Sequence, residues 1–304
     1  MPKFSPSANL WESTVAAVIT VMNMKGGVGK TTVAMHLAGG LVRLPTVKGK
    51  SMRVLAIDYD PQFNMSQAFL APKEYFSLEK QRKTTLSILI DDDTELDPYE
   101  LQVPGNLNPP SVSQLAKRIY HNKLNGSYLD LIPSTLDLMY VALGQPNTSI
   151  KPIEERFSKF ITEARSIYDI IIIDCHPAGS IFTQTSLKNS DHVVIPVIPQ
   201  RYAVRGVGLM MDFIKAKSVG GLSAKPHILF NCVPRRGVAS EELEIRGELS
   251  FATFCMKSTL KKYKALTEPE GGKGFVWSSV KPYSTEAFGN IFSVSSELLA
   301  RMKV

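Results

Sequence analysis

Short apolar runs punctuate the chain, each halting at a polar or turn residue: "TVAAVITVMN" (14–23), "MRVLAID" (52–58), "YLDLIPS" (128–134), "YDIIIID" (168–174), "HVVIPVI" (192–198) and "PHILFNCV" (226–233). They are rich in β-branched residues, the pattern of strands buried on both faces. Between several of them, apolar residues recur at helical spacing. "KTTVAMHLAGGLVRL" (30–44) carries Val33, Leu37, Leu41 and Leu44, while "IEERFSKFITEARSI" (153–167) and "VRGVGLMMDFIKAKS" (204–218) read as further helices. Strands alternating with helices predict an α/β fold, a mostly parallel twisted sheet with helices on both faces.

Residues 71–127 break this rhythm. They contain the acidic "DDDTELD" and the Pro-rich "VPGNLNPPS", and predict an insert-like region of short helices and loops. "TEPEGGKGFVWSSVKPYS" (267–284) reads as a long loop before a final helix over 285–302. With 304 residues at 44% hydrophobic content, the length suits one large domain over 1–304 better than two small ones.

Composition narrows the classes. No segment approaches the roughly 18 uninterrupted apolar residues of a membrane span. The N-terminus lacks the basic start, apolar middle and cleavage site of a secretory signal. Cys175, Cys232 and Cys255 are odd in number and widely spaced, which leaves no disulfide framework and no C-x-x-C metal knuckle. A cytoplasmic protein with reduced thiols is expected. The formal charge of +7 and pI near 9.2 favour contact with a polyanion: nucleic acid, an acidic protein or anionic lipid.

Candidate chemistry begins at "NMKGGVGKTT" (23–32), between the first predicted strand and the first predicted helix. A phosphate-binding loop, G-x-x-x-x-G-K-[ST], requires that order. Gly26, Gly27 and Gly29 let the backbone approach closely, and with Val28 they line a loop of N–H groups suited to phosphates at a helix N-terminus. Lys30 supplies charge to the β- and γ-phosphates, and the Thr31 hydroxyl is the expected Mg²⁺ ligand. Met24 stands where the motif asks for glycine, and a second lysine, Lys25, follows it. Asp174 ends an apolar strand where a phosphate-loop ATPase places the Asp that holds Mg²⁺. Asp58 and Asp60 in "LAIDYDPQFN" form a D-x-D pair that could support the metal and orient an attacking water.

Taken together, "KGGVGKTT", "DYDPQFN" and "IIIIDCHPA" resemble the deviant Walker A, A′ and B motifs of ParA/MinD-type ATPases, closer to the ParA branch. The resemblance extends through "VVIPVIPQRYAVRGVGLM" and the closing helix, and fades in 71–127 and 235–284. It implies a deviant Walker P-loop NTPase fold and hydrolysis of ATP to ADP and phosphate with Mg²⁺; the irregular stretch 71–127 is expected, on its own sequence, to lie over the nucleotide side. By the same resemblance Lys30 acts in its own subunit while Lys25 reaches across a dimer interface to the partner's nucleotide. Asp60 would position the hydrolytic water, Asp58 would support the Mg²⁺ shell with Thr31 and Asp174, and Thr32 would touch the α-phosphate. Asn231 matches an adenine contact or caps a turn, and Pro199 with Gln200 would line the base pocket.

The chain departs from the family at "DCHP", where His176 replaces the first proline of "D-x-P-P". Only about a dozen residues precede the first strand, so no helix-turn-helix domain and no operator-specific binding are expected. Nonspecific DNA contacts would come from cations that touch phosphates without reading bases. Arg235 and Arg236, then Lys261, Lys262 and Lys264, with Lys215 and Lys217 nearby, are either such carriers or solvated faces. The leading expectation is a ParA-like segregation ATPase: an ATP-bound homodimer on nonspecific DNA, at the nucleoid, released when a ParB-like or adaptor partner stimulates slow hydrolysis. A MinD-like membrane-surface ATPase is the alternative, but the closing "SVSSELLARMKV" has few cations, and stable membrane association is not expected. A metal-cluster carrier would need paired cysteines, and a scaffold that does not hydrolyse ATP would have no use for Asp60 and Lys25.

Overall fold

A computed structural model describes residues 16–44, 51–91, 96, 103–143, 150–176, 180–216, 224–267 and 274–302. In chain order the elements are β1 (Ala17–Val21), α1 (Lys30–Arg43), β2 (Arg53–Tyr59), α2 (Asn64–Phe69), α3 (Pro72–Lys80), α4 (Leu86–Leu89) and α5 (Val112–Leu115). Next come β3 (Lys117–His121), β4 (Tyr128–Ile132), α6 (Leu138–Leu143), α7 (Lys151–Ile167), β5 (Ile170–Cys175), α8 (Ile181–Lys188) and β6 (His192–Val197). The chain continues through α9 (Ala203–Ala216), β7 (Lys225–Phe230), α10 (Ser240–Gly247), α11 (Lys264–Thr267) and α12 (Ser284–Met302).

The strands form one 7-stranded sheet in the order β3-β4-β2-β5-β1-β6-β7. All neighbours are parallel except β3, which runs antiparallel to β4 at the edge. Because both faces are covered, the central strands show continuous apolar runs rather than alternation. Ile171 and Ile173 of β5 face a core built with Phe157 and Phe160 of α7, Phe182 of α8 and Met210 of α9. Ile170 and Ile172 face the opposite core, with Val33, Leu37 and Leu41 of α1 and Val294 and Leu298 of α12.

This topology locates the crevice. From β1 the chain leaves through α1 on one face, and from the adjacent β5 it leaves through α8 on the other. The two loops diverge at the C-terminal ends of neighbouring strands, the switch point where open α/β sheets receive ligands.

Two stretches differ from expectation. Residues 71–127 hold, beside short helices, the edge strand β3, whose mixed exposure and charged ends hide it from an apolar-run search. Helices α4 and α5 pack on α7, while Thr85 returns to the C-terminal edge of β2 through a bond to the Asp58 carbonyl (2.7 Å). The expected long loop over 267–284 is, from Gly274 onward, a packed strap. Phe275 and Trp277 stack at 4.4 Å, Phe275 meets Phe69 at 5.1 Å, and the Arg43 guanidinium lies 5.3 Å from the Trp277 ring. Aromatic contacts between distant segments give no periodic signal in the sequence.

Arg156 of α7 pins the region around α4. Only 2% exposed, it donates to the carbonyls of Ser87 (2.8 Å), Ile88 (3.0 Å), Ile90 (3.1 Å) and Asn108 (3.0 Å), and to that of Asn106, and pairs with Asp91 at 2.8 Å. Removing it takes a donor from the buried carbonyls of Ser87, Ile88 and Ile90. Arg156→Ala is expected to lower the unfolding free energy by about 3–5 kcal/mol, read by urea denaturation. Lys159→Ala one turn away, on an exposed ion pair with Glu155, should change it by about 0.5 kcal/mol or less.

Candidate active site

The loop from β1 to α1 is held from two sides by asparagine side chains. Asn23, buried at the strand end, donates from Nδ2 to the Pro196 carbonyl (2.7 Å) and accepts the Lys25 N–H at Oδ1 (3.0 Å). Asn231, just past β7, donates from Nδ2 to the Val28 carbonyl (2.8 Å) and accepts the Cys232 N–H (2.9 Å). Gly27 and Gly29 have φ of 74° and 83°, and a Cβ on Gly29 would stand 2.5 Å from Asn231 Nδ2. Only glycine fits this turn. No side chain caps α1, so the first-turn amides at its N-terminus are free to meet an anion.

The two lysines of the loop differ. Lys30 is 8% exposed and acts electrostatically on Asp174, whereas Lys25 is exposed at the rim. Among the described residues no carboxylate pairs with Lys25. Gly26 is exposed beside it, Val28 is buried, and Thr31 and Thr32 are half-buried on the first turn of α1.

Beside the loop, β2 and β5 place Asp58 and Asp174 directly opposite each other. Asp58 Oδ2 accepts the Ser66 N–H (2.8 Å) and the Ser66 hydroxyl (2.6 Å). Asp58 Oδ1 and both Asp174 oxygens are buried with no hydrogen-bond partner. Burial pushes the Asp58 carboxyl up to about 7, against the hydrogen bonds from Ser66. Burial and then the neighbouring Asp58 charge hold Asp174 well above the usual carboxylate range, with Thr31 and Lys30 pulling the other way. Three bare oxygens beside a hydroxyl suit a hard cation, so a Mg²⁺ ion fits Asp58, Asp174 and Thr31. Among the described residues no three His, Cys, Asp or Glu side chains are grouped to hold a metal ion by themselves.

Asp60 is buried at the mouth of the same edge. Its Oδ1 accepts the Gln62 N–H (2.9 Å), and its carbonyl accepts the Phe63 N–H (2.9 Å) and the Ser134 hydroxyl (2.7 Å). Phe63, at φ 41°, is a left-handed residue that turns the chain into α2.

Pro199 and Gln200 follow β6, and Asn231 follows β7 next to it, with the Asn231 N–H on the Val197 carbonyl (2.8 Å). All three stand at the C-terminal edge near the loop. In this conformation both polar ends of Asn231 are engaged by the loop and its own turn. His176 packs edge-on to Phe182, with ring centres 6.2 Å apart, and Pro177 lies outside the described residues.

The basic clusters come together after β7. A parallel bridge between Val233 and Lys261, with the Lys262 N–H on the Val233 carbonyl (3.0 Å), sets "PRRG" beside "LKKYK". Arg235, Arg236, Lys262 and Lys264 are exposed and Lys261 is half-buried. Arg235 lies over the Tyr283 ring at 4.3 Å. Lys215 is exposed near the end of α9, and Lys217 lies outside the described residues. Asn23, Ser66 and Ser134 escape a motif reading, because an isolated Asn or Ser at a strand end is an ordinary turn residue until its partner is known.

A glycine loop at the switch point, a helix N-terminus and a carboxylate pair define a P-loop nucleotide-binding protein of the doubly wound α/β class. A family profile described as an AAA domain matches residues 16–219. The uncharacterised protein MJECL24 of Methanocaldococcus jannaschii is 32% identical over 70% of this chain and 70% of its own length. The sporulation initiation inhibitor protein Soj of Bacillus subtilis is 30% identical over 65% of this chain, and the match spans 64% of Soj, under two thirds. The chromosome partitioning protein ParA of Myxococcus xanthus is 27% identical over 95% of this chain and 90% of its own length. Among solved structures, a plasmid partition protein of Borrelia burgdorferi B31 bound to AMPPNP superposes with a TM-score of 0.65 at 21% identity, covering 94% of this chain and 99% of that one. pNOB8 ParA bound to nonspecific DNA gives 0.62 at 20% identity, covering 94% and 98%. This chain belongs to the ParA/MinD-type P-loop ATPases, in the partition branch.

The carboxylate pair generates a pH prediction. Asp58 binds its proton more tightly folded than unfolded, so its contribution is present at low pH and is lost as pH rises through about 7. In the nucleotide-free protein, without divalent cation, Asp58→Asn should raise stability at pH 8 by about 2 kcal/mol and by much less at pH 5. Denaturant melts at the two pH values measure it.

Proposed function

We propose that the chain is an ATP-dependent DNA partition ATPase, working as one ATPase domain that switches between monomer and ATP-bound homodimer. The observation that carries this reading is the division between the loop lysines. Lys30 is buried where its charge acts on Asp174 of its own site, while Lys25 is exposed and unpaired among the described residues, available to a second copy.

In this reading the backbone amides of Gly26 to Thr32 hold the ATP phosphates, with Lys30 on the β- and γ-phosphates. Thr31, Asp174 and Asp58 would hold Mg²⁺, which would supply charge neutralisation to the triphosphate. Asp60 accepts a hydrogen bond from water and aims its oxygen at the γ-phosphorus. A new P–O bond forms from the water oxygen as the bond to the ADP oxygen breaks, and the water protons leave on the phosphate product, giving ADP and phosphate. Lys25 of the second copy adds a cation where charge develops, so hydrolysis needs the dimer. Pro199 and Gln200 line the base, and Asn231 keeps the loop closed beside it.

The convergence of Arg235, Arg236, Lys261, Lys262 and Lys264 on one surface supports nonspecific DNA as the polyanion, as does the DNA-bound state of pNOB8 ParA. A ParB-like or adaptor protein would stimulate hydrolysis and release the dimer from the nucleoid. A membrane-surface role has less support. Val294, Leu298, Leu299 and Met302 of α12 are buried in the core shared with α1, and no helix of the described residues is long and apolar enough to cross a membrane.

Binding to a nonspecific DNA duplex should require ATP, and should weaken at least about 100-fold between 50 and 200 mM salt. Lys25→Ala should abolish ATP-dependent dimerisation and DNA binding while keeping nucleotide affinity. DNA affinity independent of nucleotide would sink the proposal.

A further inference from the structure

Beyond the end of the sheet ladder, three fully buried hydroxyls tie β4 and the segment before α4 to the D-x-D segment. Thr85 Oγ1 donates within reach of the Asp58 (2.7 Å) and Pro133 (3.0 Å) carbonyls. Ser134 donates from its hydroxyl to the Asp60 carbonyl (2.7 Å) and from its N–H to Ser66 Oγ (2.9 Å). Ser66 in turn donates its hydroxyl to Asp58 Oδ2 (2.6 Å). Ser66, Thr85 and Ser134 are each 0% exposed.

Direction follows from donor inventory. The Ser134 N–H can only donate, so Ser66 Oγ accepts there and its single proton is left for the carboxylate. With the Ser66 N–H on the same oxygen at 2.8 Å, Oδ2 carries two donors and Oδ1 carries none. The carboxylate is therefore fixed in rotation with its bare oxygen in the group shared with Asp174. The same Ser134 fixes the backbone of Asp60, two residues on.

We propose that Ser66 is a positioning residue for the divalent cation, and that Ser134 links it to Asp60, so that metal support and water positioning are set by one relay from β4. The inference rests on the ATPase reading above, and its test separates the two. Outer-shell partners of metal-supporting carboxylates commonly matter this way, because they decide which oxygen faces the ion.

The test compares wild type, Ser66→Ala, Ser66→Cys and Thr85→Val. Two readouts are Mn²⁺ affinity in the presence of ADP, by electron paramagnetic resonance, and steady-state ATP hydrolysis. Ser66→Ala should weaken Mn²⁺ binding by about 10-fold or more. Its kcat should fall by a similar factor with KM for ATP within about three-fold of wild type. Ser66→Cys keeps the size with a weaker donor and should fall between, which preserves the test if the alanine variant does not fold. Thr85→Val removes a hydroxyl bonded only to backbone and should leave Mn²⁺ affinity within about two-fold. Ser66 variants that bind Mn²⁺ like wild type, or a Thr85→Val loss equal to that of Ser66→Ala, overturn the relay. A wild type that binds Mn²⁺ with ADP but hydrolyses no ATP defeats the ATPase reading, while the Mn²⁺ comparison still decides the relay.

Discussion

Two carboxylates stand side by side on adjacent strands, buried, with three of their four oxygens bare. An apolar protein interior does not tolerate two such charges without compensation. The surrounding structure supplies part of it: Lys30 and Thr31 face Asp174, and Ser66 binds one oxygen of Asp58. What remains has the chemistry of a cation site. Sheet register is what makes the pair. Shifting β2 against β5 by one residue would turn one carboxylate to the other face and part them.

The same edge explains why the loop is built as it is. Its backbone N–H groups must point at a ligand and so cannot satisfy one another, and the fold must hold the loop by other means. Asn23 and Asn231 do so from β1 and from beyond β7, bonding the loop's own N–H and C=O while leaving α1 uncapped. Burial then separates the two lysines. Lys30, at the first position of α1, turns inward, and Lys25, before the glycines, stays in solvent. An exposed cation beside a phosphate cradle is inexpensive to keep in a monomer and gains most when a second molecule brings charge to it.

Distance between surfaces matters for coupling. The basic surface around Arg235 and Lys262 hangs from the segment after β7, and that segment begins with Asn231, which touches the loop. One short stretch thus connects the phosphate cradle to the cationic surface. Contiguity of this kind is the physical form that coupling between two surfaces takes.

The order of strands and helices, the glycine loop and the carboxylates at strand ends were legible in the chain, because each is local: a period, a run or a motif within some ten residues. Even the four isoleucines of β5 announce burial on both faces. Tertiary structure alone decided which strand ends meet. It set Asp58 against Asp174, clamped Val28 with a side chain 203 residues away, and joined two basic segments through a bridge at Val233. It also made an edge strand of 117–121 and a packed strap of the aromatic stretch from Gly274 to α12. These contacts pair residues remote in sequence, and their partners are ordinary Asn, Ser, Lys and aromatic residues whose local propensity is satisfied by any turn or surface. Only the assembled sheet, by fixing where each strand end emerges, gives them one answer.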